Sequence, residues 1–211
     1  MSFYRRNLPH WQPIGGDYFI TLRLAGTLPK EIIEKLNKEK VRLLQDGNGD
    51  KKDLRTKINR RIFKKYETIL DKAERGPTWL KSVEIADIIK ESLHFRDNKD
   101  YELYAYCIMS NHVHFVFRHL SNKLKQKNDE YPITDILASF KKYTSRLCNE
   151  KLDRTGNSFW QAESFDHVVR DSDELERVIL YTLHNPVKAG LTDNWRKWPH
   201  SYCKKELSIR F

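Results

Sequence analysis

The stretch YELYAYCIMSNHVHFVFRH, residues 101–119, decides the fold. Tyr101 to Met109 and His112 to His119 are two runs rich in aromatic and β-branched residues, separated only by Ser110-Asn111. That pattern predicts two antiparallel strands joined by a tight turn. Side chains alternate along a strand, so Val113, Phe115 and Phe117 face a core while His112, His114, Val116 and Arg118 share the opposite face. The hairpin therefore brings two imidazoles to one point.

Upstream of the hairpin, Val83 to Leu93 has helical apolar spacing and runs into the polar turn Arg96-Asp97-Asn98, after a break at Gly76-Pro77. Tyr18 to Ala25 alternates as a first strand after Gly15-Gly16, and Lys30 to Leu44 follows as a helix. Leu54 to Glu74 reads as a second, very basic helix carrying Arg55, Lys57, Arg60, Arg61, Lys64 and Lys65, so the region from about 38 to 75 is a helical insertion with a charged face. Downstream, the polar loop Ser121 to Glu130 leads to a helix from about Thr134 to Asn149. Its inner face is read as Ile136, Leu137, Phe140, Tyr143, Thr144 and Leu147, its outer face as Lys141, Lys142 and Arg146. Phe159 to Arg170 is extended, with Phe165, His167 and Val169 on one side. Asp171 with Glu174 three residues later opens a last helix in the manner of a capping box, and Pro186 closes it near Asn185. The succession β, α, β, β, α, β plus a terminal helix predicts an α+β fold: a ferredoxin-like split β-α-β antiparallel sheet with an added C-terminal helix and the basic insertion, all within one domain over 1–211.

Composition narrows the function. An excess of 39 Lys+Arg over 29 Asp+Glu, a net charge of +10, favours an anionic polymer as partner without choosing DNA over RNA. No apolar run is long enough to cross a bilayer, and Met1 to Asp17 lacks the apolar stretch of a secretory signal, so a soluble cytoplasmic protein is expected. Cys107, Cys148 and Cys203 are too scattered for a disulfide framework or a zinc finger.

Two histidines at strand period two suit a divalent ion completed by a third ligand, although such spacing alone more often marks a sheet face on which imidazoles are half exposed. In the last helix Leu175, Val178, Ile179, Thr182 and Leu183 form the apolar face. Tyr181 falls off it, on a polar stripe with Glu174, Arg177 and Asn185, and Asn185 stands one turn beyond Tyr181. This is the arrangement of a presented nucleophile beside a metal ligand, or of a surface tyrosine. Tyr143 competes as nucleophile, but its angular position groups it with Phe140 and Leu147 in the core. Glu102 and Glu163 are further candidates to assist a metal, with nothing in their spacing to single them out.

The motif Met109-Ser110-Asn111-His112-Val113-His114, together with Tyr181-x-x-x-Asn185-Pro186-Val187-Lys188-Ala189-Gly190, resembles the single-tyrosine HUH endonucleases, and more narrowly the REP-associated tyrosine transposases of the insertion-sequence superfamily. Tyr4-Arg5-Arg6, Gly15-Gly16-Asp17-Tyr18-Phe19, Phe165 to Arg170 and Trp198-Pro199-His200-Ser201 extend the resemblance over roughly 1–30 and 77–202. Asn185 stands where the superfamily often has Gln.

The resemblance implies a metal-dependent single-stranded DNA endonuclease and strand transferase. Tyr181 is the expected nucleophile, forming a 5′-phosphotyrosine, with His112, His114 and Asn185 as ligands to Mg²⁺ or Mn²⁺. Arg177 and Lys188 are expected to ease deprotonation of the phenol, and the need for neutral imidazoles predicts activity falling below about pH 6. Arg5, Arg6, Lys141, Lys142, Arg146 and Lys188 are expected on the DNA backbone, with Trp11 or Trp160 stacking on unpaired bases. The expected partner is single-stranded or hairpin DNA of a repetitive extragenic palindrome, met by a monomer or a homodimer away from any membrane. Two other readings stand beside this one: a non-catalytic nucleic-acid-binding module on the same sheet, and a hydrolytic nuclease that uses water and never joins the DNA.

Overall fold

The computed structural model describes residues 13–47, 51–72, 76–120 and 132–208. Tyr4, Arg5, Arg6, Trp11 and the loop Ser121 to Glu130 lie outside the described residues. The elements run β1 (Asp17–Arg23), α1 (Lys30–Asp46), α2 (Lys51–Lys72), a single 3-10 turn at Trp79–Lys81, α3 (Val83–Arg96), β2 (Tyr101–Ile108), β3 (His112–His119), α4 (Pro132–Lys151), β4 (Phe165–Val169), α5 (Ser172–Lys188), β5 (Ser201–Cys203) and α6 (Lys205–Ser208). The sheet order is β4-β1-β3-β2-β5, with every pairing antiparallel. Strands β1 to β4 thus reproduce the split β-α-β arrangement, and β5, which the short run Ser201–Cys203 did not announce, extends it past β2.

Strand alternation divides the interior into two layers. On one face Tyr18, Ile20, Leu22, Val113, Phe115 and Phe117 pack against α3 and α4 through Ile85, Ile89, Leu137 and Phe140. On the other, Phe19 and Val116 pack against Ile179 and Leu183 of α5. A β-bulge in β2 between Leu103 and Ala105 resets the phase, so that Tyr104 and Ala105 both join the α5 layer before Tyr106 and Ile108 return to the first. One extra residue on a strand does this by leaving two positions opposite one.

Three elements depart from the sequence reading. Helix α5 does not close at Pro186, which is in its last turn. The helix ends instead at Gly190, which takes a φ of 70°. There Leu191 N–H donates to the Pro186 carbonyl at 2.8 Å and Gly190 N–H to the Val187 carbonyl at 3.0 Å, the paired bonds of a Schellman ending. Proline this late removes one backbone donor but leaves the end geometry to glycine. Tyr143, expected in the core, is 47% exposed. The buried line of α4 is Ile133, Leu137, Phe140, Thr144 and Cys148, and Tyr143 lies about 100° around the helix from its centre. Trp160, expected as an exposed stacking surface, is buried, and its indole N–H donates to Thr144 Oγ1 at 2.8 Å.

Candidate metal and tyrosine site

His112 and His114 point from β3 into the α5 layer, as the alternation requires, and both are fully buried rather than half exposed. Each ring is held by its Nδ1. Asn111 Oδ1 lies 2.6 Å from His112 Nδ1. Thr21 Oγ1 lies 2.8 Å from His114 Nδ1, across the strand pair that sets Thr21 opposite His114. Such outer partners leave Nε2 of each ring as the free ligand atom. Asn111 also donates from Nδ2 to the Leu70 carbonyl at 3.1 Å, tying the hairpin turn to α2.

The third group is one the sequence reading passed over. Glu67, on the basic helix α2, is 1% exposed, and its ligand atom forms with those of His112 and His114 a group within 4.8 Å of one another. Its Oε2 accepts from the Tyr181 hydroxyl at 2.6 Å and lies 3.0 Å from His114 Nε2, without the alignment of a hydrogen bond. Asp71, one helical turn on, places Oδ1 3.8 Å from His112 Nε2 and pairs through Oδ2 with Lys188 Nζ at 2.7 Å. The signal was present in the sequence. Glu67 and Asp71 follow Phe63 at i+4 and i+8, which puts two acids on the helix face that also carries Phe63 and Leu70. The basic residues of α2 occupy the opposite face, where Lys65 and Arg61 meet Glu39 of α1 at 2.6 and 3.8 Å.

Tyr181 is brought to the histidines within a single chain. Its ring centre is 5.7 Å from that of His114 and 5.8 Å from that of Phe19, each edge to face. The polar stripe of α5 therefore faces α2 and the sheet: Glu174 and Asn185 are buried, Tyr181 is half-buried, and Arg177 is exposed. Phe63, stacked on Phe165 with centres 3.9 Å apart, holds α2 over this stripe. Asn185 Nδ2 donates to the Tyr181 carbonyl at 3.0 Å. At the start of α5 the Asp171 side chain accepts from Glu174 N–H at 2.7 Å, as the cap reading requires, while the Glu174 carboxylate turns to Arg170 N–H and His167 Nε2.

Five buried side-chain atoms around this point have no hydrogen-bond partner: Nε2 of His112, Nε2 of His114, Oε1 of Glu67, Oδ1 of Asp71 and Oδ1 of Asn185. Unpaired buried polar atoms are costly. Five in one place, all able to donate a lone pair to a cation, fit a divalent ion. Burial and the neighbouring His114 push the His112 imidazole down to about 3, which keeps it in the neutral form that binds metal. Burial works against the Glu67 carboxylate, yet the imidazoles of His114 and His112 and the Tyr181 hydroxyl hold its carboxyl below the ordinary value. The expectation of cationic help for the phenol is reversed. Burial first, then the Glu67 and Asp71 carboxylates, raise Tyr181 well above the ordinary tyrosine range. Lys188 lies 5.7 Å from the Tyr181 ring centre, with its charge met by Asp71.

The remaining candidates are placed elsewhere. Lys141, Lys142 and Arg146 sit on α4, across the sheet from the histidines. Lys141 Nζ donates to the carbonyls of Gln161 and Ala162 at 3.0 and 2.9 Å, and Arg146 pairs with Glu150 at 3.0 Å. Glu102 pairs with Lys204 near the far end of β2. Glu163 lines a cavity next to the site.

A split β-α-β sheet with a histidine pair on a central strand and a tyrosine helix packed across it defines the single-tyrosine HUH class. The family model described as "Transposase IS200 like" matches residues 64–183, more than half of the chain, and takes in Glu67, both histidines and Tyr181. The chain belongs to this family. It is 25% identical over 113 residues to a Haemophilus influenzae protein named as a REP-associated tyrosine transposase, a match covering 51% of this chain and 61% of that protein. A solved structure of a REP-associated tyrosine transposase bound to a REP hairpin shares the fold, with a TM-score of 0.50 at 15% identity over 95% of this chain and 82% of that one.

Proposed function

We propose that this protein cuts and rejoins single-stranded DNA through a covalent bond to Tyr181, acting beside hairpins of the kind carried by its structural relative. The observation that supports this reading most is the convergence of the Tyr181 hydroxyl and the His114 imidazole on one oxygen of Glu67, at 2.6 and 3.0 Å. His112, His114 and Glu67, with Asn185 one turn from the tyrosine, would hold a divalent cation, Mg²⁺ or Mn²⁺. When bound, such a cation supplies Lewis-acid polarisation of a non-bridging phosphate oxygen.

The chain's own residues do the rest. The Tyr181 oxygen attacks the phosphorus, and its proton passes to Glu67 Oε2, which already accepts it in a hydrogen bond. The bond from phosphorus to the 3′ oxygen breaks, and that oxygen leaves as a hydroxyl after taking up a proton from water, while Glu67 returns the proton it accepted to solvent. The phosphotyrosine retains the phosphodiester energy, so a second 3′-hydroxyl can reverse the step without a nucleotide cofactor. Thr21 and Asn111 fix the two rings so that neither rotates away. Lys188 neutralises Asp71 beside the entering phosphate.

The test is incubation with labelled hairpin oligonucleotides carrying single-stranded flanks, with Mn²⁺ or Mg²⁺, followed by denaturing electrophoresis. The proposal requires a labelled protein band that disappears with Tyr181→Phe and with EDTA. Cut DNA without attached protein supports a water-using nuclease, and binding without cutting supports a recognition module. Either result rejects the proposal.

A further inference from the structure

Beside the histidines lies a cavity of about 430 Å³, within the size range of small-ligand pockets. Of its lining residues only Thr21 and Glu67 take part in the reaction proposed for Tyr181. Its walls come from β1 (Thr21 and Arg23), α1 (Asn37), α2 (Tyr66) and the approach to β4 (Glu163 and Phe165). Thr21 and Arg23 alternate with the core residues Ile20 and Leu22, so both point to the histidine face. In register, Thr21 stands opposite His114 and Arg23 opposite His112. Arg23 is the unusual member. Its Nη1 is buried and has no hydrogen-bond partner among the described residues. Burial lowers its pKa, with Tyr66 and Glu163 the groups that offset this. An unpaired buried donor is costly, and a ligand supplying acceptors removes that cost.

The chemistry of the walls selects the ligand. Glu67 and Glu163 line the cavity together with Arg23 and Lys40, and Asp166, paired with Ile20, points to the other side of the sheet, so the walls carry little net charge and suit an uncharged group better than a phosphate. Tyr66 and Phe165 offer flat apolar faces for a planar heterocycle. A guanidinium gives two parallel donors, and among the bases guanine presents two adjacent acceptors, O6 and N7, to match them. Adenine places an amino donor where the second acceptor is needed. A carboxylate such as Glu163 suits the N–H groups on guanine's other edge. The cavity also adjoins the reacting groups, because Thr21 touches His114 and Glu67 touches Tyr181.

We propose that this cavity receives one unpaired guanine of the DNA strand next to the scissile phosphate, and that Arg23 is the residue that selects it. The inference rests on the proposed DNA-cutting function for its substrate. It is tested with a probe that needs no catalysis: binding of dGMP, dAMP, dCMP and dTMP to the intact protein, by saturation-transfer NMR and competition. dGMP is expected to bind at least about tenfold tighter than the other three. Arg23→Met is expected to remove the preference, and so is Asn37→Leu, which fills the cavity from α1 without touching the sheet. Equal binding of the four nucleotides, or a guanine preference that survives both substitutions, overturns the proposal. Adduct formation with hairpin DNA is scored in parallel. An adduct without guanine preference sinks the cavity assignment alone, whereas an Arg23-dependent guanine preference without any adduct sinks the strand-transfer reading and leaves the cavity assignment standing.

Discussion

Replacing Glu67 by Gln isolates the charge that α2 contributes to the site. The carboxylate is 1% exposed, touches His114 and Tyr181, and belongs to the only group of three or more His, Cys, Asp or Glu side chains among the described residues that converges on one point. A unit charge about 4 Å from another contributes roughly 4 kcal/mol at an effective dielectric near 20, and a divalent ion feels more. Even heavily attenuated, losing it weakens cation binding by two orders of magnitude. For the unaltered protein, Mn²⁺ at about 100 times its Kd adds about 2.7 kcal/mol to folding stability. In a chain of this size that raises Tm by roughly 5–11 °C. At the same Mn²⁺ concentration the Glu67→Gln protein sits near its Kd, gains about 0.4 kcal/mol and shifts by only about 1–2 °C. The assay is thermal unfolding of each protein with EDTA and with Mn²⁺, so that each variant is its own reference. A Glu67→Gln shift equal to that of the unaltered protein refutes the assignment of Glu67 as a ligand. No shift in the unaltered protein with either Mn²⁺ or Mg²⁺ refutes the cation site itself.

Other outcomes follow from the same geometry. Tyr181→Phe removes a hydrogen bond to a buried carboxylate and is expected to lower stability by about 1–2 kcal/mol in EDTA, while hairpin binding by fluorescence anisotropy stays within about threefold. His112 has a folded pKa near 3 against about 6.5 when unfolded, so the unfolded chain takes up the proton first as pH falls. Its stabilisation is complete above pH 6.5 and is lost progressively towards pH 3, by on the order of 4–5 kcal/mol in EDTA. Urea titrations of the unaltered protein and His112→Gln should converge across that window, and parallel curves would contradict it. Lys141→Met is expected to cost about 1–2 kcal/mol by freeing the carbonyls of Gln161 and Ala162. Lys142→Met, on an exposed position of the same helix, should leave urea midpoints unchanged.

The parts of this protein legible in the sequence were those governed by local periodicity. Strand alternation around His112 and His114 fixes their shared face whatever packs on it, and the cap at Asp171 depends on residues three apart. The parts that were not legible depend on contacts distant in the chain. Glu67 reaches its partners Tyr181 and His114 from 114 and 47 positions away, and only the packing of α2 against α5 and the sheet gives it a role. The same covering helix turns a stripe that reads as solvent-facing into a buried one at Glu174 and Asn185. Trp160 and Tyr143 exchanged roles for a related reason. The indole finds a buried acceptor in Thr144, which lies on the inner line of α4 in place of Tyr143. The end of α5 differs from its sequence signal because Pro186 acts locally, while Gly190 acts through a pair of backbone bonds that span five residues.

The account depends on Tyr181, and on no other tyrosine, becoming bonded to DNA. Peptide mass spectrometry of the protein after reaction with a hairpin oligonucleotide and nuclease trimming measures this directly. A nucleotide mass carried by the peptide containing Tyr181 is the predicted result. The same mass on the peptide containing the exposed Tyr143, or on no peptide while the oligonucleotide is cut, would contradict it.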